Sequence, residues 1–204
     1  MKPPVMLYTE QTPNPESLKF VTNQMLYPRE TADFKDNQKD LAAEWSPLAT
    51  ALFEMAYVKG VYICNNFVTI TKEFNYEWAD VMLELKNFIK KYLQDDGVVI
   101  KEGFQEVKAA MEAEQAAAEG QNYSEEDAAI VVKIKQLIDK YVRPAVEMDG
   151  GNIAFRDYKS GVVTVAMQGA CSGCPSSSVT LKSGIEGMLK RMIPEVETVN
   201  AVAE

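Results

Sequence analysis

At 204 residues the chain has room for one domain or two small ones, and its 47% hydrophobic content suffices for ordinary cores. A net charge of −9 and a pI near 4.7 repel polyanions, so nucleic acid is not expected as a ligand. The absence of histidine removes every Ser-His or Cys-His nucleophile pair and every His-ligated zinc or haem site, which disfavours most enzyme classes.

In chain order, residues 5–10 read as a strand, 12–17 (Thr-Pro-Asn-Pro-Glu-Ser) as a turn, and 18–21 as extended again. Residues 47–58 carry Leu48, Leu52, Phe53, Met55 and Ala56 at helical spacing. Ser46 is placed as N-cap, Pro47 at the first helical position and Gly60 as the stop. Residues 61–71 alternate as a hairpin with Cys64-Asn65-Asn66 at its tip. Residues 78–93 form a second helix that buries Val81, Met82, Leu85, Phe88, Ile89 and Tyr92.

The composition then changes. Residues 101–121 are rich in Ala, Glu and Gln with little to bury, which reads as a linker, semi-rigid where helical. Ser124 to Asp127 opens a helix with Ile130, Ile134, Leu137, Ile138, Tyr141 and Val142 on one face, disturbed or restarted by Pro144. A turn at 149–152 leads to strands 153–158 and 162–167, joined by Lys159-Ser160-Gly161. After a cysteine loop, Pro175 opens a helix that Pro194 stops, and 196–202 is a last strand. The expected fold is α/β in the α+β sense: two small mixed domains joined by an acidic linker. The expected boundaries are 1–95, 96–123 and 124–204.

The cysteine loop, Gly169-Ala170-Cys171-Ser172-Gly173-Cys174-Pro175, carries the chemistry. Its spacing aims two sulfurs at one point, between a strand and a helix start whose unpaired N–H groups favour thiolate. The glycines let the backbone turn tightly and approach the sulfurs. A tetrathiolate site needs four sulfurs, and the chain holds three cysteines, two of them here. A self-contained ferredoxin is excluded by that count. A cluster shared between two chains, a zinc site shared in the same way, and a dithiol oxidoreductase remain open, beside the plain reading of a buried small-residue turn. Neither thiol is needed for a core on this reading, so Cys171→Ser and Cys174→Ser are expected to leave the fold intact.

Other eye-catching residues have plainer readings. Thr12-Pro13-Asn14-Pro15 is a rigid turn. Trp45 and Trp78 pack, although an exposed aromatic here would be a docking candidate. Lys182, Lys190 and Arg191 belong to a solvated helix face. The methionines mostly fall at core spacing, and Cys64 is a small apolar filler. No run of about 18 apolar residues is present, so no membrane partner is expected. An odd cysteine number fits a reducing compartment, and the first residues lack an apolar signal core or an Arg-rich transit pattern. The expected location is cytoplasmic.

Tyr141-Val142-Arg143-Pro144, Met148 to Asn152 and the loop from Gly169 to Ser177 closely resemble the C-terminal domain of NifU, the Nfu-type iron–sulfur scaffold domain. Residues 181–186 and 194–196 continue the likeness. Residues 9–20, 46–49 with Leu52-Phe53, and 60–72 resemble the Nfu N-terminal domain. The resemblance implies a scaffold or carrier, not an enzyme. It would receive a [4Fe-4S] cluster, or a [2Fe-2S] cluster, from upstream donors and hand it to apo iron–sulfur clients. It also implies a cluster bridging a homodimer, with Cys171 and Cys174 as the metal ligands, and a partner-choosing role for the N-terminal domain. Cys64 departs from the family, which more often has a small residue such as glycine there.

Overall fold

The computed structural model describes residues 3–118, 123–172 and 175–203. Helices and sheets are mixed, and the chain divides into two compact units, Met1–Gln105 and Glu106–Glu204.

The first unit opens with β1 (Leu7–Gln11) and β2 (Ser17–Thr22), joined by a turn that holds itself together. The Thr12 hydroxyl donates to the carbonyls of Asn14 (2.9 Å) and Ser17 (3.0 Å), and the Glu16 N–H donates to Asn14 Oδ1 at 3.0 Å. With Pro13 and Pro15 fixing φ, the turn is pre-shaped. Then come β3 (Tyr27–Lys35), α1 (Lys39–Trp45) and α2 (Pro47–Phe53). Ser46 caps α2, its hydroxyl accepting from the Ala49 N–H at 3.1 Å. β4 (Val58–Asn65), β5 (Phe67–Lys72) and α3 (Trp78–Gln94) complete the unit.

The five strands run in the order β1-β2-β5-β4-β3. One sheet face, with Phe20, Phe34, Ile63 and Ile70, packs on Leu48 and Leu52 of α2 and on Val81, Leu85 and Ile89 of α3. The i, i+4 spacing of those α3 residues is the amphipathic signature that the sequence carries.

Three details differ from the sequence reading. Helix α2 ends at Phe53, and Gly60 lies inside β4 beside a register shift, 3.5 Å (at an added Cβ) from the Thr71 Cβ. Cys64 is not at the hairpin tip; it pairs with Phe67 as the last rung, and the turn is Asn65-Asn66, with Asn65 at φ 44°. The strand β3 and helix α1 were not expected at all. β3 holds Pro28, an Arg29 with φ 63°, and an irregular register between Tyr27 and Thr31. An edge strand tolerates these, but a local pattern does not reveal it.

The expected linker contains α4 (Phe104–Ala118). In the second unit, α5 (Glu125–Leu137) is capped by the Ser124 hydroxyl, which accepts from the Asp127 N–H at 3.1 Å. A π-helical turn over Ile138–Val142 then leads into α6 (Arg143–Met148). Pro144 offers no N–H to the preceding turn, and widening that turn accommodates the missing bond. β6 (Gly151–Lys159) and β7 (Val162–Gly169) form a hairpin whose turn, Ser160-Gly161, has φ of 48° and 80°. That mirror-image turn suits the twist of the strands. Helix α7 (Pro175–Met192) crosses over to β8 (Thr198–Ala203), which lies parallel to β7, giving the order β6-β7-β8. Ile153, Val163, Val165 and Met167 face Ile134, Ile138, Ile185 and Leu189 in the core. No helix of the described residues is long and apolar enough to cross a membrane.

Candidate functional site: the cysteine loop

The β6–β7 register builds the site. It sets Gly151 opposite Gly169 and Asn152 opposite Gln168. Gly150 (φ 81°) and Gly169 (φ 62°) take left-handed conformations at the two strand ends. The Ala170 N–H donates to the Gly150 carbonyl at 3.2 Å, and the Ser172 N–H donates to the Gly169 carbonyl at 3.0 Å. The loop is thus tied to both strands before it reaches the second cysteine.

Cys171 sits where this turn meets the core and is only 6% exposed. A Cβ added at Gly151 would lie 2.8 Å from Cys171 Sγ and 2.7 Å from the Gln168 carbonyl. Only glycine leaves that space, so Gly151 is a residue of the site that spacing alone did not single out. Asn152 and Gln168 are buried next to it, with Asn152 Nδ2 donating to Gln168 Oε1 at 2.9 Å.

Cys174 lies outside the described residues, as does Gly173. In sequence Cys174 directly precedes Pro175, the first residue of α7. The 18-residue α7 is long enough for its first-turn N–H groups and dipole to favour negative charge there. Soft thiolates are the donors that iron–sulfur clusters take, so the residue types fit that cargo.

The structure corrects one expectation. Cys171 is part of the core of its unit, in one buried cluster with Ile153, Met167, Ile185 and others. Its replacement by serine therefore touches stability. Cys64 is in the other unit, 1% exposed among Val21, Tyr62 and Phe67, which matches a small apolar filler. Among the described residues no three His, Cys, Asp or Glu side chains converge as a metal group.

Elsewhere on α7, Glu186 ties the helix to β8. It accepts from the Val199 N–H (3.0 Å) and the Thr198 hydroxyl (2.9 Å) and pairs with Lys190 at 2.7 Å. The Lys190 hydrogen bond first, then those of Val199 and Thr198, hold its carboxyl down at about 2. Lys190, assigned from sequence to a solvated face, is thus engaged within its own helix. Burial, then the Glu84 hydrogen bond (2.9 Å), raises the Tyr57 phenol in the first unit.

The architecture is that of a two-unit α+β protein with a paired-cysteine loop between a strand and a helix. Residues 134–200 match the NifU-like domain, and residues 7–96 match the scaffold protein Nfu/NifU N-terminal domain. The two matches fall one in each unit, so the first unit is similar to the Nfu N-terminal domain and the second to the NifU-like domain. A Drosophila virilis protein named "NFU1 iron-sulfur cluster scaffold homolog, mitochondrial" is 39% identical over 199 residues, 97% of this chain and 62% of the relative. The Drosophila sechellia protein of the same name is also 39% identical, over 97% of this chain and 65% of its own length. The chain thus spans somewhat less than two thirds of these curated relatives. A solution structure of a NifU-like protein from Saccharomyces cerevisiae is 28% identical, with a TM-score of 0.43, over 48% of this chain and 87% of that one.

Proposed function

We propose that the chain is an iron–sulfur cluster carrier. Its cargo is a [4Fe-4S] or [2Fe-2S] cluster held by Cys171 and Cys174 of two copies and delivered to apo-proteins. One observation carries this reading. A Cys-x-x-Cys pair lies between β7 and α7, inside the stretch that matches the NifU-like domain. One loop supplies two sulfurs where four are wanted, and a two-fold axis supplies the rest.

Delivery is ligand exchange. An incoming client thiolate forms a bond to iron as one Cys171 or Cys174 thiolate leaves, so charge and electrons balance and no redox step is needed. The helix end steadies the departing thiolate, and the paired loop keeps its neighbour in place. The role is carriage rather than turnover.

Residues 124–204 bind the cluster in this reading, 96–123 link, and 1–95 select donors and clients. The odd cysteine count supports a reducing compartment, the cytoplasm in this reading. The two fly relatives are named mitochondrial, and subcellular fractionation of the source cells decides between the two.

Anaerobic reconstitution with iron and sulfide, followed by Mössbauer spectroscopy and native mass measurement, tests the proposal. The expected result is one cluster per two chains, lost in Cys171→Ser and in Cys174→Ser. A cluster fully ligated within one isolated chain refutes the shared site. A colourless protein with stoichiometric zinc refutes the cargo and favours an adaptor. A dithiol with measurable disulfide-reductase activity favours an oxidoreductase instead.

A further inference from the structure

The first unit contains a cavity of about 520 Å³ between β1, the Thr12–Pro15 turn and the start of α3. Its apolar lining is Pro13, Pro15, Leu18, Trp78, Ala79 and Met82. Thr9 and Gln11 of β1 add polar groups, with the Thr9 hydroxyl 3.9 Å from Met82 Sδ. The floor is fixed, since the Trp78 indole N–H donates to the Pro15 carbonyl at 2.9 Å and Trp78 packs on the Phe20 ring.

The rim of this cavity is a sheet edge. β1 is the terminal strand and pairs on one side only. The Asn23 N–H donates to the Met6 carbonyl at 3.3 Å, so the rung at 6 and 23 is of the hydrogen-bonded kind. Rungs alternate along an antiparallel ladder, so those at 8 and 10 are of the same kind. Leu7, Thr9 and Gln11 therefore direct their main-chain N–H and C=O away from β2. Their side chains share the sheet face that carries Phe20 and Leu18, which pair with Thr9 and Gln11. A strand added at this edge would bond to Thr9 and Gln11 and send alternate side chains into the cavity.

Charge narrows the occupant. Glu16, Glu77 and Asp80 adjoin the lining residues in sequence, and none takes part in an ion pair among the described residues. Lys72, which is buried, lies with its Nζ 5.8 Å from the Trp78 ring. The chain as a whole carries −9.

We infer that this groove binds an extended segment of a partner protein, with bulky apolar and basic side chains on the strand face turned to the cavity, by strand addition to β1. The inference rests on the reading that residues 1–95 select partners, and it assigns the surface that does so. Main-chain bonds along Thr9 and Gln11 supply affinity, the cavity selects the apolar side chains, and the carboxylates select the cations.

The test uses the full chain and fluorescein-labelled octapeptides that carry leucine and arginine in turn on one strand face, with threonine between them, read by anisotropy. The expected result is saturable binding that weakens with salt. A glutamate–leucine peptide should not bind, and an arginine–leucine peptide N-methylated on the strand-pairing face should bind poorly. Ala79→Arg, at an exposed cavity-lining position on α3, should weaken binding roughly tenfold through bulk and like charge. Should that variant fold poorly, Glu77→Gln with Asp80→Asn removes charge alone and should flatten the salt dependence.

Absence of binding to the basic peptide, equal binding of the acidic or N-methylated peptide, or unchanged binding in Ala79→Arg overturns the inference. Self-association of the peptide-free chain that Ala79→Arg abolishes gives the groove to a second copy and also overturns it. Cluster loading of the same variants is measured in parallel. Failure to load a cluster in the unaltered chain defeats carriage, whereas intact loading without peptide binding defeats only the groove.

Discussion

Gly151 shows how one missing methyl group shapes the site. Its Cα faces the Cys171 sulfur and the Gln168 carbonyl so closely that an added Cβ would stand 2.7–2.8 Å from both. One of these neighbours is backbone and cannot swing away. Gly151→Ala is therefore expected to lower stability by about 1–3 kcal/mol through overpacking. It should also shift the visible spectrum of the reconstituted cluster, because Cys171 is the neighbour displaced. Urea unfolding and absorbance spectra check the two effects. At Cys171 itself, serine replaces a buried thiol in the second unit's core with a smaller and more polar hydroxyl. It is expected to cost about 1–3 kcal/mol, whereas alanine leaves only a small void. Both should abolish cluster loading, and a Ser variant as stable as the parent would contradict the packing argument. Spacing alone singled out Cys171 and Cys174 as candidates in the sequence. Gly151 was not legible as a partner, because its approach to Cys171 arises from strand register between segments some twenty residues apart.

At the scale of elements, α7 and β8 illustrate a fastening that no local pattern reveals. Glu186 reaches from the helix to the Val199 N–H and the Thr198 hydroxyl at the start of the parallel strand. Its folded carboxyl lies at about 2 against an ordinary 4.5. A lowered carboxyl adds stability that is fully present above pH 4.5 and lost as pH falls through 4.5 toward 2. Glu186→Gln is expected to flatten the acid dependence of stability in that window and to leave a weaker α7–β8 contact at neutral pH. Acid titration followed by circular dichroism of parent and variant checks this. Regular helices were legible: α3 repeats its apolar residues at Val81, Leu85 and Ile89. So were the β4–β5 and β6–β7 hairpins, whose strands and turn residues are adjacent. β3 escaped because only Ala32 and Phe34 mark its buried side, beside a proline and an irregular register. Its place in the sheet comes from pairing with β4, a tertiary fact.

For the whole molecule, each unit has its own core. Both tryptophans, Trp45 and Trp78, lie in the first. Destabilising changes at Cys171 or Gly151 are accordingly expected to lower the thermal midpoint seen by far-ultraviolet circular dichroism of the second unit's structure. The tryptophan-emission midpoint should stay in place. Coincident shifts of both signals would show that the units unfold as one.

β7 lies between two neighbours, antiparallel β6 and parallel β8, and the cysteine loop begins where it ends. A strand bonded on both sides is the last part of a sheet to open its amides to solvent. The loop is therefore moored to the slowest-exchanging backbone of its unit, so ligand exchange of the proposed kind would not call for any breathing of the sheet beneath.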